Sequence, residues 1–399
     1  MSTTVAEGRS LRSIVESREI VVFCGSGGVG KTTTAAATAL EATTLTNGRV
    51  LVLTIDPARR LADALGLEGI GNVERRVADE TIRAAGMEPR GELYAAMLDT
   101  KASWDDLVLR HAPDEETAYR ILDNRMYATL TGRFVQSHDY IAMERLYDLH
   151  SSGRYDLIVV DTPPTRNAID FLEAPARMAE FFGGRLLRWL TMPYRVGGRR
   201  GVRLINFASR PFYQLADRVL GKQFLQDIAE FFLNFQAMYD GFSARAQAVE
   251  QLLHERRTGF VVVTTLEEAP LREARYFCAA LGERRFQLDA LVLNRVLPSW
   301  LWDDAVRSAA TQLLERAGPI ADELAHLGVA SLDDASRTAR VLRAAATTYG
   351  EYSALAEREE QRRDELTAMP GVVAIVPVLE DDVHDLAGLH RIGKELFPI

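Results

Sequence analysis

Short runs of apolar, mostly β-branched residues recur along the chain, at Ile20 to Cys24, Val50 to Ile55, Leu93 to Leu98, Leu157 to Val160, Phe260 to Val263, Ala290 to Leu293 and Val372 to Val376. Each run is continuous rather than alternating, and helical periodicity separates one run from the next. This pattern predicts a parallel sheet covered on both faces, the doubly wound α/β class. Glycines follow the first run at once and an Ala-rich stretch, Thr32 to Ala42, follows the glycines. That order reads as strand, loop, helix. Three longer helical stretches stand out, at Lys101 to His150, Ala174 to Arg257 and Asp303 to Met369. The expected organisation is one α/β domain in three parts, 1–100, 151–173 and 258–399. Two helical insertions, 101–150 and 174–257, interrupt it.

Composition narrows the class without choosing the chemistry. The 399 residues are 47% hydrophobic and 26% charged, with a formal net charge of −9. Such a chain is globular, and the acidic balance argues against a protein that coats nucleic acid. Two cysteines, Cys24 and Cys278, exclude a disulfide scaffold and any site needing three thiolates from one chain. A polar N-terminus and the lack of a long uncharged apolar run predict a cytosolic location. One segment departs from the average. The 72 residues from Phe171 to Phe242 hold 14 of the 32 aromatics, and seven arginines with no acidic residue lie between Phe181 and Ala216. Gly197, Gly198 and Gly201 within it predict a loop between helices.

The segment Gly25-Ser26-Gly27-Gly28-Val29-Gly30-Lys31-Thr32-Thr33 matches the P-loop spacing. Glycines let backbone N–H groups curl around phosphate oxygens, and the following helix N-terminus adds its positive dipole end. Lys31 supplies charge to the β and γ phosphates, and the Thr32 hydroxyl is the expected Mg²⁺ ligand. Two aspartates end strands that reach the same sheet edge, Asp56 after Ile55 and Asp161 after Val160. Ligands of open α/β sheets bind beyond the carboxyl ends of the strands, so Asp161 is the expected support for Mg²⁺ and Asp56 the expected orienter of the attacking water.

With Thr54 to Asp63 (TIDPARRLAD) and Asp161 to Leu172 (DTPPTRNAIDFL), the loop resembles the ArsA family of deviant Walker A P-loop ATPases, which includes the arsenite-pump and guided-entry ATPases. It is most similar to actinobacterial members labelled anion-transporting ATPases. The resemblance implies an ATP- and Mg²⁺-dependent hydrolase, a dimer that closes on ATP and opens on ADP, and a hydrophobic or membrane-associated client. It also implies base contacts from Asn294 (in VLNR) and Pro377 (in VPVLEDDVHDLAGL). Asp56 would be the switch I aspartate, and Asp161 would open switch II.

The departures are specific. The family's loop begins Gly-Lys-Gly-Gly, and its extra lysine reaches the partner's phosphates, whereas this chain has Ser26. A homodimer would need a cation from elsewhere, and a heterodimer with a paralogue carrying the intact loop would supply it. A nucleotide-regulated scaffold subunit with little hydrolysis of its own is the alternative reading. No CxxC pair is present, so no zinc is expected, and two cysteines do not make an arsenite site. The aromatic segment has three readings: a core stripe, an apolar groove for a client helix, or, through its arginines, peripheral contact with an anionic membrane. ParA-type ATPases use basic surfaces on DNA, but they lack the long insertions seen here.

Overall fold

The computed structural model describes residues 10–55, 60–67, 69–125, 127, 131, 135–163, 172–174, 177, 231, 238–327, 332–366 and 372–398. Most of the aromatic, arginine-rich segment, switch II from 164 to 171 and Asp56 lie outside them. Eight strands make one sheet: β1 (Ile20–Cys24), β2 (Arg49–Thr54), β3 (Arg75–Arg76), β4 (Glu92–Met97), β5 (Leu157–Asp161), β6 (Thr258–Thr264), β7 (Leu288–Val296) and β8 (Val372–Pro377). Their spatial order is β3-β4-β2-β5-β1-β6-β7-β8. Every neighbouring pair is parallel except β3–β4. All seven apolar runs are therefore strands, and the antiparallel edge strand β3 is an addition to the expected parallel sheet.

The described helices are α1 (Leu11–Ser17), α2 (Lys31–Leu45), α3 (Arg60–Ala64), α4 (Asp79–Ala84), α5 (Thr100–His111), α6 (Glu115–Leu122), α7 (Val135–Ser151), α8 (Tyr239–His254), α9 (Glu268–Glu283), α10 (Asp304–Ala325), α11 (Ala335–Leu366) and α12 (Leu386–Leu396). The strand period of two sorts the core between the sheet's faces. Val21 and Phe23 of β1 pack with α1, α2 and α12, while Ile20, Val22 and Cys24 pack with α5, α7, α8 and α9. Both faces are closed, which is why the central runs of the strands are continuously apolar rather than alternating.

Burial on the second face is reinforced by charge. Arg245 of α8 donates to Glu144 and Asp148 of α7 at 2.7 and 2.6 Å, tying the helix before β6 to the helix before β5. Apart from the sheet, α10 and α11 pack on one another around Ala317, Ala321 and Ala339. Arg316 of α10 leaves helical φ/ψ three residues before Pro319, whose ring clashes with the preceding turn and kinks the helix.

β1 is the switch point of the sheet. The chain leaves β1 through α2 for β2, returns beside β1 as β5, and continues on β1's other flank as β6. The crevice beyond the carboxyl end of β1 is where such sheets receive ligands.

Candidate functional site

The loop between β1 and α2 lies in that crevice. Gly30 caps α2 at φ +90°, in the left-handed region, and a Cβ there would collide with the Asn294 side chain. At Gly25 a Cβ would run into the Val263 carbonyl of β6. Glycine is required at both positions by close approach as well as by conformation. Gly27 and Gly28 are exposed, Val29 is buried under the loop, and Thr32 and Thr33 are half-buried on the first turn of α2.

Lys31 is 6% exposed, and its Nζ donates to the Ser26 carbonyl at 2.8 Å, so its ammonium lies within the loop. Ser26 Oγ is enclosed and has no hydrogen-bond partner among the described residues. A buried hydroxyl without a partner is costly in a finished core but suits a cradle that meets phosphate oxygens. Beneath the loop, burial pushes the Cys24 thiol up to about 12, against a smaller opposing pull from Lys31. Burial also pushes Cys278 on α9 up to about 11. Both thiols are inert core groups at neutral pH.

Asp161 is fully buried at the end of β5, in register with Phe23 of β1 and Thr54 of β2. The Thr54 hydroxyl donates to Asp161 Oδ2 at 2.9 Å, and the Thr162 hydroxyl donates to the Phe23 carbonyl at 2.8 Å. The Ile55 N–H donates to the Asp161 carbonyl at 3.0 Å, which brings the chain to this edge one residue before Asp56. Thr54 is not singled out in the sequence as a site residue; its only signal is a hydroxyl at the next-to-last position of the apolar run Val50 to Ile55.

On the other flank Asn294 is 6% exposed, and its Nδ2 donates to the Val29 carbonyl at 2.8 Å. Its Oδ1 accepts the Arg295 N–H at 3.0 Å. Between Leu293 and Val296 the ladder to β8 shifts register, and Arg295 takes φ +57°. A one-residue bulge with a left-handed residue re-aims side chains at a sheet edge. Pro377 pairs with Val296 across this bulge, so Asn294 and Pro377 stand on adjacent strand ends beside the loop. Gly25 to Thr33, Asp161, Asn294 and Pro377 thus share one sheet edge.

Among the described residues no group of three or more His, Cys, Asp and Glu side chains is gathered as for a metal. No described helix is long and apolar enough to cross a membrane.

The sequence profile of the anion-transporting (ArsA) ATPases matches residues 18–315, about three quarters of the chain. An uncharacterized protein of Streptomyces coelicolor is 29% identical over 318 residues, 77% of this chain and 72% of that protein. ATPase GET3 of Eremothecium gossypii is 26% identical over 225 residues, 52% of this chain and 58% of that protein. A putative arsenical pump-driving ATPase of Aquifex aeolicus is 24% identical over 293 residues, 70% of this chain and 63% of that protein. The chain therefore spans less than two thirds of the last two relatives. By its profile match it belongs to the family of anion-transporting ATPases.

Proposed function

We propose that this family member is a Mg²⁺-dependent ATP hydrolase in which water attacks the γ-phosphate. The observation that carries the reading is the buried Lys31 inside a glycine loop, with Asp161 on the neighbouring strand end. Loop N–H groups and Lys31 hold the phosphates, and the dipole of α2 adds to their field. The enclosed Ser26 hydroxyl donates to a phosphate oxygen. A divalent cation would take the Thr32 hydroxyl, and through water Asp161, as its protein ligands; when bound it neutralises charge developing on the phosphoryl oxygens. Asp161 is held at the strand end by the Thr54 hydroxyl, which fixes one carboxylate oxygen. Asp56, one residue beyond Ile55, orients the attacking water. Asn294 and Pro377 face the base.

The working unit in this reading is a dimer whose ATP-driven closure acts on a hydrophobic client or a membrane-associated partner through the insertions at 101–150 and 174–257. The names of the relatives, an ATPase GET3 and a putative arsenical pump-driving ATPase, support an ATPase but do not name a client. Ser26 carries no charge to lend across a dimer, which favours pairing with a paralogue that retains the lysine. It also supports the second reading, a nucleotide-regulated subunit with little turnover of its own.

The test is Asp56→Asn in the full chain. ATP binding persists, turnover falls at least about hundredfold, and partner and client co-purify under ATP. Turnover within about threefold of wild type removes Asp56 from its role. Fast, concentration-independent turnover of the pure wild-type chain removes the need for a partner.

A further inference from the structure

Helix α11 begins at Ala335, beyond the residues matched by the family profile, and its two sides differ sharply. The inner side is closed. Ala317 and Ala321 of α10 pack with Ala339, and Ala346, Ser353 and Ala356 continue the buried face. Toward its C-terminus α11 is tied to the body of the protein. Tyr349 Oη donates to the Leu301 carbonyl at 2.9 Å, Glu359 Oε2 accepts the Leu297 N–H at 3.2 Å, and Arg362 Nη1 donates to the Leu266 carbonyl at 2.8 Å.

The outer side of a surface helix is normally charged and polar. On α11 it carries Val341, Ala345, Thr348, Tyr352 and Leu355, spaced four, three, four and three residues apart, which puts them in one stripe about four turns long. All five are exposed. Among the described residues eleven large apolar side chains are exposed, and six of them (Trp300, Leu314, Leu327, Val341, Tyr352 and Leu355) lie on this hairpin or at its base. A concentration of that kind marks an interaction surface.

Charge decides what covers the stripe. One edge of it carries Asp333, Arg340, Glu351 and Arg358, all exposed and without an ion-pair partner among the described residues. Arg340 and Glu351 stand equally far on either side of the junction of Ala345 and Ala346, and so do Asp333, just ahead of the helix, and Arg358. In an antiparallel pair the same edge of each helix faces its copy. A second α11 with the two-fold axis at that junction therefore sets every arginine of the four against a carboxylate, whereas a parallel pairing sets like against like. In the same register Val341 comes beside Tyr352 of the other copy, and Arg337 falls opposite Ala354. The small side chains of Ala344 and Ala345 lie at the crossing, where they let the two helices approach closely.

We infer that the outer stripe of α11 is a self-association surface on which two copies of this chain pair antiparallel, with Arg340 to Glu351 and Asp333 to Arg358 as ion pairs along the edge. The stripe shares no residue with the phosphate loop, so the pairing needs no nucleotide. It is a different contact from the ATP-closed dimer of the proposed function and does not rest on that reading. A seam of about four turns is a small interface, which sets the expected Kd at about 10 µM.

The test is sedimentation velocity of the full-length chain without nucleotide, over a concentration series, on wild type, Tyr352→Glu, Arg340→Glu, Glu351→Arg and the double reversal Arg340→Glu with Glu351→Arg. Wild type passes from monomer to dimer across the series. Tyr352→Glu puts a charge into the seam from both copies and weakens the dimer at least about tenfold. Each single reversal sets like charges opposite one another twice in the symmetric dimer and weakens it about tenfold. The double reversal exchanges the partners and returns the Kd to within about threefold of wild type. The substituted positions are exposed, and unchanged circular dichroism verifies folding; if Tyr352→Glu does not fold, the charge reversals carry the test. A wild type that is still monomeric at about 100 µM overturns the inference. So does association that appears only with ATP and Mg²⁺, a dimer that none of the variants weakens, or a double reversal as weak as its parents.

Discussion

The same strands end in two different chemistries. At their carboxyl ends the hydrogen bonds that shape the crevice run from single side-chain donors to two backbone carbonyls and one carboxylate: Lys31 to Ser26, Asn294 to Val29, Thr54 to Asp161. At their amino ends ion pairs do the work. Arg18, beside β1, grips Asp289 of β7 with two bonds of 2.7 and 2.6 Å, and Glu19 meets His150 at 2.7 Å and Arg257 at 3.3 Å. Arg49 at the head of β2 pairs with Glu92 at the head of β4 at 3.1 Å. An end that only has to close can neutralise itself. An end that must receive a polyanion keeps its donors on flexible-φ backbone and shaped hydroxyls, at some expense in stability.

The largest effect expected from this contrast is at Lys31. Lys31→Met removes the phosphate's cation and should weaken ATP at least about hundredfold, about 2.7 kcal/mol. The unfolding midpoint should stay level or rise, because a buried ammonium is replaced by an alkyl chain of similar length. Calorimetric affinity and urea unfolding of the same preparation decide it. A loss of stability as large as the loss of binding breaks the contrast.

Arg18→Met is the mirror experiment at the other end. The side chains of Arg18 and Asp289 are 18% and 8% exposed, and Asp289 packs against Gly259, where a Cβ would collide with the carboxylate. Removing the guanidinium leaves that carboxylate nearly buried and without its charge partner, at a cost of about 2–3 kcal/mol in unfolding free energy. ATP affinity should stay within about twofold. Weakened ATP binding with intact stability would mean that the amino ends are wired to the site.

How much of each end the sequence discloses follows from the kind of signal each carries. The phosphate loop announces itself, because its glycines, lysine and threonine sit in a fixed spacing between an apolar run and a helix. Asp161 is legible as the residue that closes an apolar strand. β3 is not: two exposed arginines have no apolar pattern, and their pairing is imposed by β4. β7 runs on to Val296, past the apolar run that stops at Leu293, because the bulge at Arg295 resumes the ladder after two polar residues. Asn294 carries no signal of its own at a strand end and was legible only through family resemblance. Glu359 and Arg362 read as the solvated face of a charged helix. Their partners, Leu297 and Leu266, lie 62 and 96 residues earlier, and a backbone group has no side-chain identity to betray the contact. The ion pairs of the amino ends are hidden for a related reason, since Arg18 and Asp289 are 271 residues apart.

The smallest effect tests whether the amino-end pairs act as charges or merely as contacts. Glu19 has its carboxyl held below the ordinary value of 4.5, first by the hydrogen bond from His150 and also by Arg257, with burial opposing. A carboxylate with a lowered folded-state pKa stabilises the protein above its unfolded-state pKa, and that contribution disappears as pH falls through the folded value. Glu19 is 49% exposed, so solvent screening limits the gain to a few tenths of a kcal/mol, at most about 1. Wild type and Glu19→Gln should therefore differ slightly in urea midpoint at about pH 7, and progressively less as the pH falls below the ordinary carboxylate value of 4.5. His150→Gln should remove most of the difference at neutral pH, because it deletes the bond that contributes most to the shift. A difference that does not shrink as the pH falls below 4.5 would mean that Glu19 contributes by packing rather than by charge. In that case the Glu19 cluster would be held by shape, as the carboxyl ends are, and the contrast between the two would narrow to the pairs Arg18–Asp289 and Arg49–Glu92.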